Sequence, residues 1–84
     1  MARSFSAWKS TAMLKLLALK ANYRNPKVLQ DIDYLIDRLE RLRLDGLASF
    51  LADLHRASSG APELLEIIPK EEEVVSWFQR GGEE

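Results

Sequence analysis

Catalysis needs a nucleophile, an acid–base pair or a set of metal ligands, and this chain offers few of the side chains that build one. His55 is its sole histidine and it holds no cysteine, which leaves no zinc site and only Ser49, Asp53 and His55 as a conceivable triad. Those three share one helical pattern, but at about 100° per residue His55 lies about 200° round from Asp53. The acid cannot orient the imidazole, so the triad fails on geometry and His55 reads as an exposed side chain on a polar helix face. Asp33, Asp37 and Glu40 line up as a carboxylate stripe. Without a histidine or a loop supplying carbonyl oxygens, that stripe falls short of the ligand number that Ca²⁺ or Mg²⁺ takes. None of the four glycines sits in a phosphate-binding loop or a dinucleotide fingerprint. The expectation is a non-enzymatic protein with no catalytic residue, no metal site, no cofactor and no small-molecule substrate.

The charges say more. Residues 1–30 carry Arg3, Lys9, Lys15, Lys20, Arg24 and Lys27 and no acid, whereas from Asp31 onward thirteen acids face six bases, a net of −7 inside an overall charge of −1. A basic arm is joined to an acidic body. Either the two halves neutralise each other, within the fold or between protomers, or the arm meets an acidic partner. Lys9, Lys15, Lys20, Arg24 and Lys27, interleaved with Trp8 and Tyr23 as stacking surfaces, make nucleic acid the alternative partner. Against it, these bases are spread around a helix rather than gathered on one side. The helix, Asp45-Gly46, helix layout over 31–57 has the outline of a helix-turn-helix. Its second helix, however, presents Ser49, Asp53, His55 and only Arg56, the wrong face for phosphates or guanine edges.

The elements that must position these side chains are helices. Ser4 or Ser6 is placed to cap a first helix over about 7–22, whose stretch from Ala12 to Ala21 is apolar nearly all round. Such a helix wants cover on more than one face. Leu14, Leu17 and Ala21 share one side of it and are the expected oligomer or partner interface. An acid-free N-terminus with Arg, Ser and an apolar run also has features of a targeting segment. Lys15 and Lys20 interrupt that run, no small-residue cleavage pattern follows, and it is far short of the ~20 residues that span a bilayer. No transmembrane segment is expected, and the absence of cysteine favours a cytoplasmic home.

Asn25-Pro26 starts the second helix with a mechanism, an Asn cap followed by a Pro whose missing N–H had no partner in any case. Val28, Ile32, Leu35, Leu39 and Leu42 then recur at spacings of four, three, four and three, with Leu29 and Ile36 widening the seam. The spacing predicts a helix over about 26–43, antiparallel to the first across the short link Tyr23-Arg24-Asn25. On its outer side Asp37 with Arg41 and Glu40 with Arg43 read as charge pairs. Asp45-Gly46 reads as a helix stop and a new cap, giving a third helix over about 46–57 from Leu47, Phe50, Leu51 and Leu54; a single helix from Pro26 to Ala57 is the alternative. Ser58 to Pro62 is the clearest loop. Beyond it, acids in the first turn after Pro69 followed by Val74, Val75, Trp77 and Phe78 favour a short helix closing at Gly81-Gly82 over a hairpin of 64–68 with 74–78.

The chain therefore reads as an all-α protein, a small bundle of three main helices plus one or two short C-terminal helical segments. It is a single domain, residues 1–84, divided into a basic N-terminal helix (1–25), the heptad and third helices (26–59) and a short C-terminal segment (62–80). A chain this short buries only roughly 60–65% of its unfolded surface, which leaves little room for a deep pocket. The expected function is protein–protein interaction, as an adaptor, inhibitor, regulator or assembly subunit. It would self-associate as a two-fold homodimer through the first helix. Val74, Val75, Trp77 and Phe78 form a compact cluster that either closes the core or docks in a partner's groove, with closure of the core favoured.

Overall fold

The computed structural model describes residues 3–81, and among them every regular element is helical. Four α-helices, α1 (Phe5–Lys20), α2 (Pro26–Glu40), α3 (Leu47–Ala57) and α4 (Glu71–Gln79), are joined by two 3₁₀ segments, Leu44–Gly46 and Pro62–Ile67. Helix α1 opens two residues earlier than its composition suggests because Ser4 is the cap that forms, its hydroxyl accepting from the Ala7 amide at 3.0 Å. The Asn25 side chain accepts from the Lys27 and Val28 amides at 2.9 and 3.4 Å with Pro26 in the first turn, the start expected for α2.

Helices α1 and α2 run antiparallel, since the Lys9 ammonium donates to the Leu42 carbonyl at 2.8 Å near one end while Lys20 meets Asp33 at 2.6 Å near the other. Between them lie Phe5, Trp8, Ala12, Leu16 and Leu19 of α1 and the heptad residues Val28, Ile32, Leu35 and Leu39 of α2, all buried. Helix α1 thus has one regular buried face, which its outward apolar residues hide from a reading of periodicity. Helix α2 stops at Glu40, two residues before its heptad pattern ends, yet Leu42 stays buried in the connection that follows.

The chain makes two helices here and not one. Asp45 does not cap the second, however: it falls inside the 3₁₀ turn, and α3 starts at Leu47 with Gly46 as its N-cap and no side-chain cap. Because Arg43 lies past the end of α2, it is not held in helical register with Glu40, whereas Arg41 keeps Asp37 at 2.7 Å. Past α3, the Ser58 and Ser59 hydroxyls close the turn by donating to the His55 and Arg56 carbonyls. Gly60 lets this turn press on α2, where a Cβ would come within 3.2 Å of the Val28 side chain.

Residues 64–67 and 71–78 are helical and form no hairpin. Leu64 and Ile67 of the 3₁₀ segment are buried, and α4 lays Trp77, wholly buried, against the start of α1. There Phe5, Trp8, Phe50 and Trp77 form one aromatic cluster, with the Trp77 ring centroid 5.3 Å from Phe5 and 5.6 Å from Trp8. Both indoles are satisfied: Trp8 donates to the Ile67 carbonyl and Trp77 to the Arg3 carbonyl, each at 2.8 Å. Gly81 ends α4 in the left-handed conformation (φ +67°) that glycine adopts freely; Gly82 lies outside the described residues.

Candidate interaction surface

Helix geometry divides α1 into two faces. At 3.6 residues per turn Leu14, Leu17, Ala18 and Ala21 fall on the side opposite the buried row. All four are exposed, Leu14 to 70% and Leu17 to 49%. Two branched side chains and two methyl-sized ones in succession give a shallow apolar strip that another helix can approach closely. Leu14 also borders a groove of about 420 Å³ between α1 and α2, lined with Lys9, Ser10, Met13, Leu39 and Glu40. The three residues expected as an interface from their spacing, Leu14, Leu17 and Ala21, thus share one uncovered face. Ala18 completes it.

The bases of the arm are dispersed. Lys9 is held by the Leu42 carbonyl and sits 5.6 Å from the Phe5 ring centroid, and Lys20 is paired with Asp33. Arg3 forks onto Glu73 through two guanidinium nitrogens at 2.8 and 2.9 Å. Lys15, Arg24 and Lys27 make no ion pair among the described residues. Of the two aromatics that interleave these bases, Trp8 is buried and the Tyr23 hydroxyl donates to the Glu63 carboxylate at 2.5 Å, an exposed contact that raises the phenol's pKa and lowers the acid's. The Trp8 ring offers no stacking platform, the Tyr23 ring is half-buried against the core, and the basic residues converge on no groove.

The C-terminal cluster is split. Trp77 belongs to the core and is not a docking residue, because the aromatic cluster and its bond to Arg3 enclose it. Val74 is half-buried against the core, while Val75 and Phe78 are 47% and 56% exposed. Phe78 therefore does not help to close the core, contrary to its pairing with Trp77 in sequence. It borders a groove of about 490 Å³ lined with Phe5, Leu42, Arg43, Leu44, Asp45 and Gly81.

Two buried acids escape a sequence reading that takes charges as solvated. Asp53, 8% exposed, accepts from both Arg38 of α2 and Arg56 of its own helix, which fastens α3 to α2. The signal was its place on the apolar face, three residues after Phe50 and one before Leu54. Glu73, 4% exposed, accepts from the Arg3 guanidinium, the Arg3 amide and the Lys70 amide. Its pKa is lowered to about 2, first by the Arg3 side chain and then by the backbone donors. Its signal was a spacing of four from Trp77.

The side chains that could do chemistry lie apart. Asp53 faces α2, His55 is exposed with Nδ1 2.9 Å from the Leu51 carbonyl of its own helix, and Asp33 and Asp37 are taken by Lys20 and Arg41. Among the described residues no group of three acids or histidines is placed to hold a metal ion, and no helix is long and apolar enough to cross a membrane. A groove of about 520 Å³ runs between α2 and the end of α3 and mixes Lys27, Asp31, Tyr34, Asp53 and Arg56. Its charges are of both signs and select no ligand class. Compared with known proteins, the chain matches no family model, no curated relative and no solved structure.

Proposed function

We propose that this chain is a non-enzymatic protein–protein interaction module that self-associates through the outward face of α1. The observation that carries the reading is the strip of Leu14, Leu17, Ala18 and Ala21, uncovered along the second half of a helix whose other face is sealed in the core. A contiguous apolar strip rimmed by polar residues is what an interface looks like before its partner arrives.

Magnitudes place the association in the reversible range. Fully burying a leucine yields about 1.5–3 kcal/mol, and Leu14 and Leu17 are already partly covered, at 70% and 49% exposed, so the apolar gain is only of the order of the association cost of roughly 4–15 kcal/mol. No large surplus is left, so assembly depends on concentration. In light scattering coupled to size exclusion over a hundredfold concentration range, the apparent mass rises above the monomer's 9.6 kDa. Leu17→Glu abolishes the rise and leaves the helical fold intact, since the side chain is half exposed. A constant mass of one chain at every concentration refutes self-association.

A further inference from the structure

A second apolar face lies on α4. Glu71, Val75 and Phe78 recur at spacings of four and three on the side turned away from the buried Glu73 and Trp77, with Glu72 beside them, and all four are exposed. The face is apolar along its length and acidic at its start. Helix α4 carries no base from Glu71 to Gln79, and α1 carries no acid from Phe5 to Lys20. Pairing α1 with α1, in either direction, thus sets the two helices' own bases together, and pairing α4 with α4 their own acids, with Glu40 of α2 beside Leu14 and Arg43 beside Phe78 as charges of the other sign; like charges brought together oppose association. Pairing α1 with α4 sets Glu71 and Glu72 toward Lys15 and Arg24, neither of which is in an ion pair among the described residues.

The two faces cannot meet within one copy. Helix α4 packs on α1 through its buried side, at Arg3, Phe5 and Trp8, while Leu17 is twelve residues, about 18 Å, further along α1. Resting on the self-association proposed above, we infer that copies of this chain assemble head to tail, the α4 face of one seated on the outward α1 face of the next. Val75 and Phe78 then cover Leu14 and Leu17, with Ala18 and Ala21 giving the ring room. Such a contact is heterologous: each copy keeps one unused face of each kind, so growth continues past the dimer unless the rotation closes a ring. This replaces the two-fold dimer expected from α1 alone.

Charge reversal tests the pairing, because each reversed chain is incompatible with itself and compatible with the other. Lys15→Glu alone, and Glu71→Lys with Glu72→Lys in one chain, each shift half-association to about tenfold higher concentration, the scale of one or two rim ion pairs. An equimolar mixture of the two variants recovers the wild-type concentration dependence. Because the chain has no cysteine, oxidation gives a second readout. Leu17→Cys mixed with Val75→Cys yields the mixed disulfide in excess of either self-disulfide. A wild-type protein that associates while the mixture stays dissociated, or a Leu17→Cys chain that links mainly to itself, overturns the head-to-tail arrangement and leaves self-association standing. A wild-type protein of constant monomer mass overturns both.

Discussion

Glu73 ties the residues before α1 to the last helix, and its ionisation is worth stability. In the unfolded chain a glutamate titrates near 4.5, and here the group is held at about 2. A folded-state pKa below the unfolded one contributes stability that is complete above the unfolded value and lost as pH falls through the folded one. The loss runs from about pH 5 to pH 2. Arg3 is 39% exposed, so solvent screens the pair and about 2 kcal/mol is the scale expected. Glu73→Gln lowers the melting temperature at pH 7 and flattens the acid limb of the stability curve over that window, as thermal melts at several pH values will show. Asp53 works differently, because it joins two helices: Asp53→Ala leaves Arg38 without its partner beside the core and costs about 1–3 kcal/mol in denaturant unfolding.

Among the elements, α4 is short but indispensable. Nine residues make a marginal helix in isolation, and what holds α4 is Trp77, enclosed by Phe5 and Trp8 and bonded to the Arg3 carbonyl. Truncation after Pro69 removes that ring and the Arg3–Glu73 fork together. A loss of at least 3–5 kcal/mol follows from the ring alone, a large part of the stability of a domain this size. Circular dichroism melts decide it, and Phe78→Ala is the control. That side chain is more than half exposed, so its removal shifts the melt by less than about 0.5 kcal/mol while weakening self-association.

Over the whole molecule, elongated at 39 × 21 × 20 Å, two of the basic arm's six bases are paired with its own acidic body among the described residues and a third is held by a backbone carbonyl. Arg3, Lys20 and Lys9 are held by Glu73, Asp33 and the Leu42 carbonyl. With Trp8 and Tyr23 also engaged, a titration against mixed single-stranded or duplex oligonucleotides should stay flat at physiological salt. A steep log–log salt slope, the mark of several released counterions, would restore nucleic acid as the partner.

Local rules in the sequence determined the helical class, the Asn25 cap and the heptad seam. Asn25-Pro26, the spacing from Val28 to Leu42 and the loop at Ser58–Pro62 act over a few residues and need no distant partner. The antiparallel pairing of α1 with α2 was legible too, because a three-residue link permits little else. Leu14, Leu17 and Ala21 could be grouped on one face by helical spacing alone. What spacing could not supply was which side of each helix the remainder of the chain would cover. Val74, Val75, Trp77 and Phe78 are alike in composition, yet the rotation of α4 against Phe5 and Trp8 buries Trp77 and exposes Val75 and Phe78. Acids in a row read as solvated, yet Arg3, seventy residues away in sequence, draws Glu73 inside and leaves Glu71 and Glu72 in water. Burial is settled by contacts between residues far apart in the chain, and only the packed structure brings them together.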